Sequence, residues 1–441
     1  STRSLVEAHH VSPLTVSRAI AELAREGILA TRPGAGTFAA EPRKWRQPDQ
    51  SSYSWQTIAL GERPIDTEGL SPLADPPHAD GVISLATGYL HGSLMPLASL
   101  RSALTRAARL PDSWERPPAF GLHSLRSWFA RDAGPGVDAQ DVLITSGGQG
   151  ALSVAFRALV PSGAPLLVES PTYPGAIAAA RSVGARPVPV PADGDGVIPE
   201  LLAEAFARTG ARAFFCQPAF HNPTGAVLAA GRRQAVLGIA AAAGAFVVED
   251  DVARALSHDQ RPPPPLLSND RDGRVVSFTS LTKVSSPSLR VGAMIARGPV
   301  ADRLRSLRVI DELFVSRPLQ ETALDLISRP AWDRHLKELS RSLNRRAAAL
   351  AGAVERHLPA VEITPPAGGM HLWARLPKDL DDTEVAQAAR LHGVIVMPGR
   401  PFFPAEPPGP RLRLTFSGAA AEADLELGIR RLARAAPRLT G

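Results

Sequence analysis

Cysteine, lysine and long apolar runs are all scarce in this sequence, and each scarcity excludes something. Cys216 is the single cysteine, so a disulfide framework and a cysteine zinc site are both excluded, and a reducing cytoplasm is the expected location. The longest apolar stretch, Ala235–Val248, is interrupted by glycine and reads as a helix running into a strand, not a membrane span. No charged head followed by an apolar run opens the chain, so neither a secretory signal nor a membrane partner is expected. Among 49 lysines and arginines only Lys44, Lys283, Lys337 and Lys378 are lysine. A lysine kept inside a motif of such an arginine-using chain points to chemistry that arginine cannot perform. The net charge of +6 permits nucleic-acid binding. Together with 42 prolines it equally fits a compositional bias of the source, so charge alone does not decide the matter.

A length of 441 residues with 44% apolar side chains supports two or three domains and a well-buried core. Residues 1–40 form one expected unit. It comprises a short helix over Ser1–His9, a turn with Ser12 as N-cap and Pro13 at the first helical position, and a second helix to Glu26. Val16, Ile20, Leu23 and Ala24 form the apolar face of that helix, and Gly27 stops it. Strand, Pro33-Gly34-Ala35-Gly36 turn and strand follow to Ala39. Residues 41–80 lack periodicity and read as a linker.

From about Val82 the grammar changes. Apolar runs at Val142–Thr145, Leu166–Glu169, Ala213–Gln217, Ala245–Glu249 and Val275–Phe278 alternate with Ala/Leu-rich helical stretches. That order predicts an α/β domain over 81–329, a mostly parallel sheet with helices on both faces. A long helix over Trp332–His357 opens a smaller α+β domain over 330–441, with strands at His371–Leu376, Val394–Met397 and Arg411–Phe416. Pro262–Pro265 reads as a surface spacer.

Four motifs fall at the ends of predicted strands, where an open α/β sheet binds ligands. Thr145-Ser146-Gly147-Gly148-Gln149-Gly150 joins a strand to a helix, as an anion cradle does; such a segment is also often only a turn. His221-Asn222-Pro223-Thr224-Gly225 follows the next strand and by itself is an Asn-Pro turn. Glu249-Asp250-Asp251 ends a buried strand, where carboxylates commonly cap the next helix or bind metal. Ser280-Leu281-Thr282-Lys283, with Arg290 seven residues on, places a lysine just past a strand, ordinarily a solvated position.

In this combination and order the motifs resemble the fold-type I pyridoxal-phosphate enzymes of the class I and II aminotransferase type, over roughly residues 82–441. The resemblance implies pyridoxal phosphate attached covalently to Lys283, which needs a primary amine. It implies Asp250 on the pyridine nitrogen, Asn222 on the phenolic oxygen and Tyr173 stacked on the ring. Ser280, Arg290 and the amides of Gly148 and Gln149 would hold the phosphate, Arg413 the α-carboxylate of an amino compound, and Gly88 would line its pocket. One departure stands out: where relatives carry a second donor to the phenolic oxygen, a tyrosine two or three residues after the aspartate, this chain has Val252 and Ala253.

Residues 1–40 resemble a GntR-type winged helix-turn-helix, through Val11-Ser12-Pro13-Leu14-Thr15-Val16-Ser17-Arg18-Ala19 at the recognition helix and Arg32-Pro33-Gly34-Ala35-Gly36-Thr37-Phe38 at the wing. The resemblance implies contacts to double-stranded DNA from Arg3, Ser12, Thr15, Arg18, Gly34 and Gly36. Pro13 and Ser17 stand where many relatives have arginine, and the chain starts where the second helix of such a domain belongs. A GntR-type head on an aminotransferase-like body is the arrangement of the MocR-type regulators. It implies a head-to-tail homodimer in which an amino compound, sensed through the cofactor, alters DNA binding. A working aminotransferase with a vestigial head is the alternative.

Overall fold

A computed structural model of the chain describes residues 2–25, 28–32, 36–39, 55–56, 59, 81–258 and 264–440. The chain divides into two compact units, Ser1–Pro64 and Ile65–Gly441. The expected linker over 41–80 and residues 262–263 of the expected spacer lie almost wholly outside the described residues. Of that spacer's remainder, Pro264 is exposed but Pro265 is buried.

The first unit contains helices α1 (Thr2–His9) and α2 (Pro13–Arg25) and a hairpin of β1 (Leu29–Arg32) and β2 (Gly36–Ala39). The Ser12 hydroxyl accepts from the Thr15 amide at 3.1 Å, the N-cap bond that satisfies one of the orphan donors of α2. Val16 is buried, and Ile20 and Leu23 are half-buried on the same side of the helix. The hairpin is in antiparallel register from Leu29↔Ala39 to Arg32↔Gly36. Its expected turn, including Gly34, lies outside the described residues, as does Gly27.

The second unit begins with the short strand β3 (Ile83–Ser84) and is built on an eight-stranded sheet. In chain order its strands are β4 (Val142–Thr145), β5 (Pro165–Ser170), β6 (Arg186–Asp193), β7 (Gly196–Val197), β8 (Ala213–Cys216), β9 (Phe246–Asp250), β10 (Val275–Ser280) and β11 (Gly292–Ile295). Across the sheet the order is β4-β11-β10-β9-β8-β5-β6-β7. The sheet is mixed, because β11 runs antiparallel to both its neighbours and β7 antiparallel to β6.

Strands β6, β7 and β11 escape a periodicity reading. β11 is four residues long, and β6 carries three prolines. The Arg186 amide bonds toward β5, so the alternate positions Pro187, Pro189 and Pro191 turn their missing donors to the other side. Prolines there cost no ladder bond and blunt the sheet beyond the short pairing with β7.

Both faces of the sheet are covered, so β4, β8 and β11 are buried at every residue and show no polar alternation. Ile144, Leu167, Phe214, Val247 and Val275 feed one core, and Leu143, Val168, Phe215, Val248 and Val276 the opposite one. Helix α3 (Gly148–Leu159) packs on the second.

The C-terminal region starts with the 28-residue helix α4 (Pro330–His357). A four-stranded antiparallel sheet follows, ordered β12 (Glu362–Ile363), β13 (His371–Arg375), β16 (Arg411–Thr415) and β15 (Met397–Pro398). Helix α5 (Glu422–Ala435) packs against α4. The strand expected over Val394–Met397 is two pieces in two sheets. β14 (Val394–Ile395) pairs with β3, while β15 pairs with β16. The boundary expected at residue 81 assigned Ile83–Ser84 to the large domain; by pairing, these residues join the C-terminal region. Among the described residues no helix is long and apolar enough to cross a membrane.

Candidate functional site

The C-terminal ends of β4, β5, β8, β9 and β10 open on a cavity of about 160 Å³. All ten residues expected at a cofactor or substrate site from the strand-end motifs, the 86–89 loop and β16 line it. The structure therefore brings together positions as distant in sequence as Gly88 and Arg413.

Lys283 ends a short turn directly after β10, started by Ser280, whose Oγ accepts from the Thr282 amide at 3.2 Å. Its Nζ donates to the Gly88 carbonyl at 2.8 Å and lies 4.2 Å from the Tyr89 ring centroid, over the negative π face. Burial pulls the ammonium down from the usual 10.5 to about 8; Asp250 opposes the shift, and Arg413 and Arg290 add to it. A lysine so placed holds a substantial fraction of neutral, nucleophilic amine near neutrality.

The three acids that end β9 have separate tasks. The Glu249 carboxylate accepts from the Leu266 and Leu267 amides at 2.5 and 3.2 Å and caps the turn there. Asp251 is paired with Arg254 at 2.6 Å. Asp250 alone lines the cavity. It accepts from Gln217 Nε2 at 2.7 Å and from the Val252 amide at 3.2 Å. Burial raises it to about 6, with those two bonds and Lys283 pulling the other way. A carboxylate held in this way fits a partner that brings a positive charge.

Asn222 Oδ1 accepts from Arg413 Nη1 at 3.1 Å, while the Asn222 amide donates to Gln217 Oε1 at 3.3 Å. Gln217 thus ties Asp250 to the Asn-Pro turn, and its own amide donates to Glu169 at 2.8 Å. Arg413 is buried, donates to the Ala86 carbonyl and stacks 5.2 Å from the Phe402 ring centroid. Arg411 leaves the cavity, half-buried beside Asp382, as expected if only one of the two strand arginines faces a ligand.

The glycines show where space is required. Gly147, at φ +116°, precedes α3, and a β-carbon there would sit 2.7 Å from the Arg290 guanidinium. Arg290 therefore lies directly over the N-terminus of α3, a cation beside the unpaired helix amides of Gly148 and Gln149. A β-carbon on Gly175 would come within 2.4 Å of the Tyr173 ring. Tyr173 donates to Gln149 Oε1 at 3.2 Å, and Gln149 Nε2 donates to the Gly175 carbonyl at 2.9 Å. The ring is thus fixed by its hydroxyl, beside an anion-binding helix end. Amine, carboxylate, amide, guanidinium and ring together match what a phosphorylated pyridine aldehyde requires.

Val252 and Ala253 line the cavity where relatives of this type carry a tyrosine, so neither supplies a hydroxyl. Gln217, Tyr89 and His371 also line it and were missed as functional candidates in the sequence. Tyr89 directly follows Gly88, and Gln217 ends a predicted strand, which was the available signal. His371 gave none, being one polar residue at the start of a strand.

In the first unit Arg3, Ser12, Thr15 and Arg18 are all exposed. The side chains at 12, 15 and 18 are three residues apart and share one side of α2. The Ser12 and Thr15 hydroxyls bond each other at 2.9 Å, so both serve the helix start as well as offering polar groups outward. Gly36 opens β2 at φ +114°, and Gly34 lies outside the described residues.

Comparison with known proteins bears on both units. The sequence pattern of the family "Aminotransferase class I and II" matches residues 80–432. The 2-aminoadipate transaminase of Thermus thermophilus is 31% identical, over 87% of this chain and 97% of its own. The HTH-type transcriptional regulator YdfD of Bacillus subtilis, itself uncharacterised, is 26% identical over 97% of this chain and 89% of its own. Among solved structures, the α-aminoadipate aminotransferase LysN, also of Thermus thermophilus and complexed with N-(5'-phosphopyridoxyl)-L-leucine, superposes with a TM-score of 0.79. It is 29% identical and spans 88% of this chain and 99% of its own.

Proposed function

The chain belongs to the aminotransferase class I and II family, and from that premise we propose that it is a MocR-type transcription regulator: a DNA-binding protein that senses an amino compound through pyridoxal phosphate. The observation that carries this reading is the attached first unit. Regulators such as YdfD and YisV match over 97% and 100% of this chain, so the likeness to YisV extends through α1, α2 and the hairpin and that to YdfD reaches at least α2 and the hairpin.

Lys283 would attach the cofactor, with Asp250 toward its pyridine nitrogen, Asn222 toward its phenolic oxygen and Tyr173 on the ring, while Ser280, Arg290 and the start of α3 would take the phosphate. When bound, the cofactor supplies an electrophilic centre for amines and an electron sink for the bonds of the amine's α-carbon. The chain's own part is to bind and orient. Arg413 takes the carboxylate of the incoming amino compound through a forked pair. Gln217 keeps Asp250 and Asn222 in register. Arg3, Ser12, Thr15, Arg18 and Gly36 form the DNA-facing surface among the described residues.

A head-to-tail homodimer completes the reading. Trp114, Ile310 and Leu313 are 76%, 76% and 55% exposed. The Asp112–Arg317 ion pair at 3.2 Å and the stacking of Arg116 on Phe314 tie their segments together. Exposed apolar groups held side by side suit a protein interface.

A working aminotransferase is the second reading, favoured by the intact constellation around Lys283 and by the likeness to the 2-aminoadipate transaminase. Val252 and Ala253 weigh against it, since the missing hydroxyl removes a donor that tunes the cofactor. The test is to screen amino compounds for a shift of the cofactor spectrum, then assay each hit for turnover with a keto-acid acceptor. We expect fast shifts and slow or undetectable turnover. Multiple turnovers at about 1–1000 per second, with no effect on DNA binding, would sink the sensor reading.

A further inference from the structure

His371 opens β13 and faces Thr415 directly across the ladder to β16, one pleat along from the Trp373↔Arg413 pair. The register therefore sets His371 and Arg413 on one face of the sheet, and both line the cavity. The imidazole is only 8% exposed, and a buried histidine needs its ring nitrogens accounted for.

The hydrogen bonds settle its tautomer. Thr415 Oγ1 donates its only proton to the Thr87 carbonyl at 2.7 Å. Its contact with His371 Nδ1 at 2.9 Å must then run the other way, with Nδ1–H donating to the hydroxyl. Nε2 is left as a bare lone pair, and among the described residues it has no hydrogen-bond partner. Burial, with Arg413 and Lys283 nearby, holds the ring well below its usual value, so Nε2 stays an acceptor and is a poor base.

An unused acceptor on the wall of a ligand cavity selects a donor. We infer that His371 is a specificity-determining residue, whose Nε2 accepts a hydrogen bond from a hydroxyl or amide N–H on the side chain of the amino compound bound at Arg413. This rests on the sensor site proposed above and narrows its ligand. Nε2 presents a lone pair and no proton, so a hydroxyl or amide N–H on the ligand pairs with it, whereas a side-chain carboxylate brings a second lone pair. Phe220, Leu256 and Met370 provide apolar walls, so the rest of the side chain is expected to be hydrocarbon.

The experiment titrates cofactor-loaded protein with amino acids in isosteric pairs, read by the visible spectrum. The pairs are L-norvaline with L-homoserine, L-2-aminobutyrate with L-serine, and L-phenylalanine with L-tyrosine. In at least one pair the hydroxylated member should bind about tenfold tighter, because the hydrocarbon member, once bound, covers the acceptor without pairing it. His371→Phe should collapse that ratio toward one, and His371→Gln, which can present an amide oxygen, should keep part of it. Thr415→Val, which frees the ring to change tautomer, should lower the ratio without removing the imidazole. If amino acids shift the spectrum but no pair favours its hydroxylated member, or if the preference survives His371→Phe, the inference is wrong. If none shifts the spectrum, the sensor reading fails first and takes the inference with it. The wild-type ratios decide the matter even should the phenylalanine variant fail to fold.

Discussion

In residues 81–440 the groups that carry chemistry are buried, whereas in residues 2–39 they are exposed. Lys283, Asp250 and Arg413 line one buried cavity, and each departs from its ordinary ionisation because it is out of water. Arg3, Thr15 and Arg18 stand at the surface, and Val16 is the one fully buried apolar side chain among the described residues of that unit. Leu14 is 62% exposed and Phe38 47%. The body is specified by packing, which fixes distances between residues far apart in sequence. The head is specified by a pattern of outward-facing polar groups on one helix and carries only a thin core. A small-molecule site needs the first kind of construction, because pKa values and forked contacts depend on geometry held within a fraction of an ångström. A phosphate-backbone and base-edge surface tolerates the second.

The comparison can be broken most severely at Lys283. Lys283→Ala should abolish covalent cofactor attachment outright. The visible absorption band and the borohydride-fixed peptide should both disappear, while DNA binding without an amino compound persists. Retention of the fixed label would place attachment elsewhere.

A smaller effect comes from the same lysine's burial. With its ammonium lowered to about 8, the unprotonated amine grows as pH rises and saturates above that value. The rate of cofactor capture should therefore climb about fiftyfold between pH 6 and 8, about double again above pH 8 and then flatten. Stopped-flow mixing across pH 6–10.5 measures this. A rate still climbing severalfold between pH 9 and 10 would mean the amine is not desolvated.

Smaller still is the expected effect of Arg18→Ala. If Arg18 reads a base, binding to a promoter fragment from the gene's own neighbourhood should weaken by about 1–3 kcal/mol at the specific site. The cofactor spectrum should stay unchanged. Equal affinity in a folded Arg18→Ala protein would remove that residue from the interface. A changed spectrum would mean the two regions are not separable in the way the burial pattern suggests.

Much of the site was readable in the sequence because its motifs carry their own chemistry. A lysine retained where arginine is the rule, an aspartate ending an apolar run and glycines before a helix each announce a role. Strands β5, β8, β9 and β10 were readable for a related reason, as apolar runs flanked by helices. What was not readable depends on pairing across distance. Strand β11 is too short to show a period, β6 is masked by its prolines, and β3 exists only through its ladder to β14. Gln217 and His371 become functional only once Asp250 and Thr415 are placed beside them. Local sequence does not encode a cross-strand partner.

The central claim is that the body's ligand site and the head's DNA surface belong to one two-state device. Thermodynamic linkage makes this measurable, since an effector that changes DNA affinity by some factor must have its own affinity changed by DNA by the same factor. The direct measurement takes an amino compound that shifts the cofactor spectrum. Its dissociation constant is determined with and without saturating operator DNA, and the operator's dissociation constant with and without saturating compound, on the same dimer. The account predicts two ratios that differ from one and agree with each other. Two ratios equal to one, with the compound bound and the DNA bound, would contradict it.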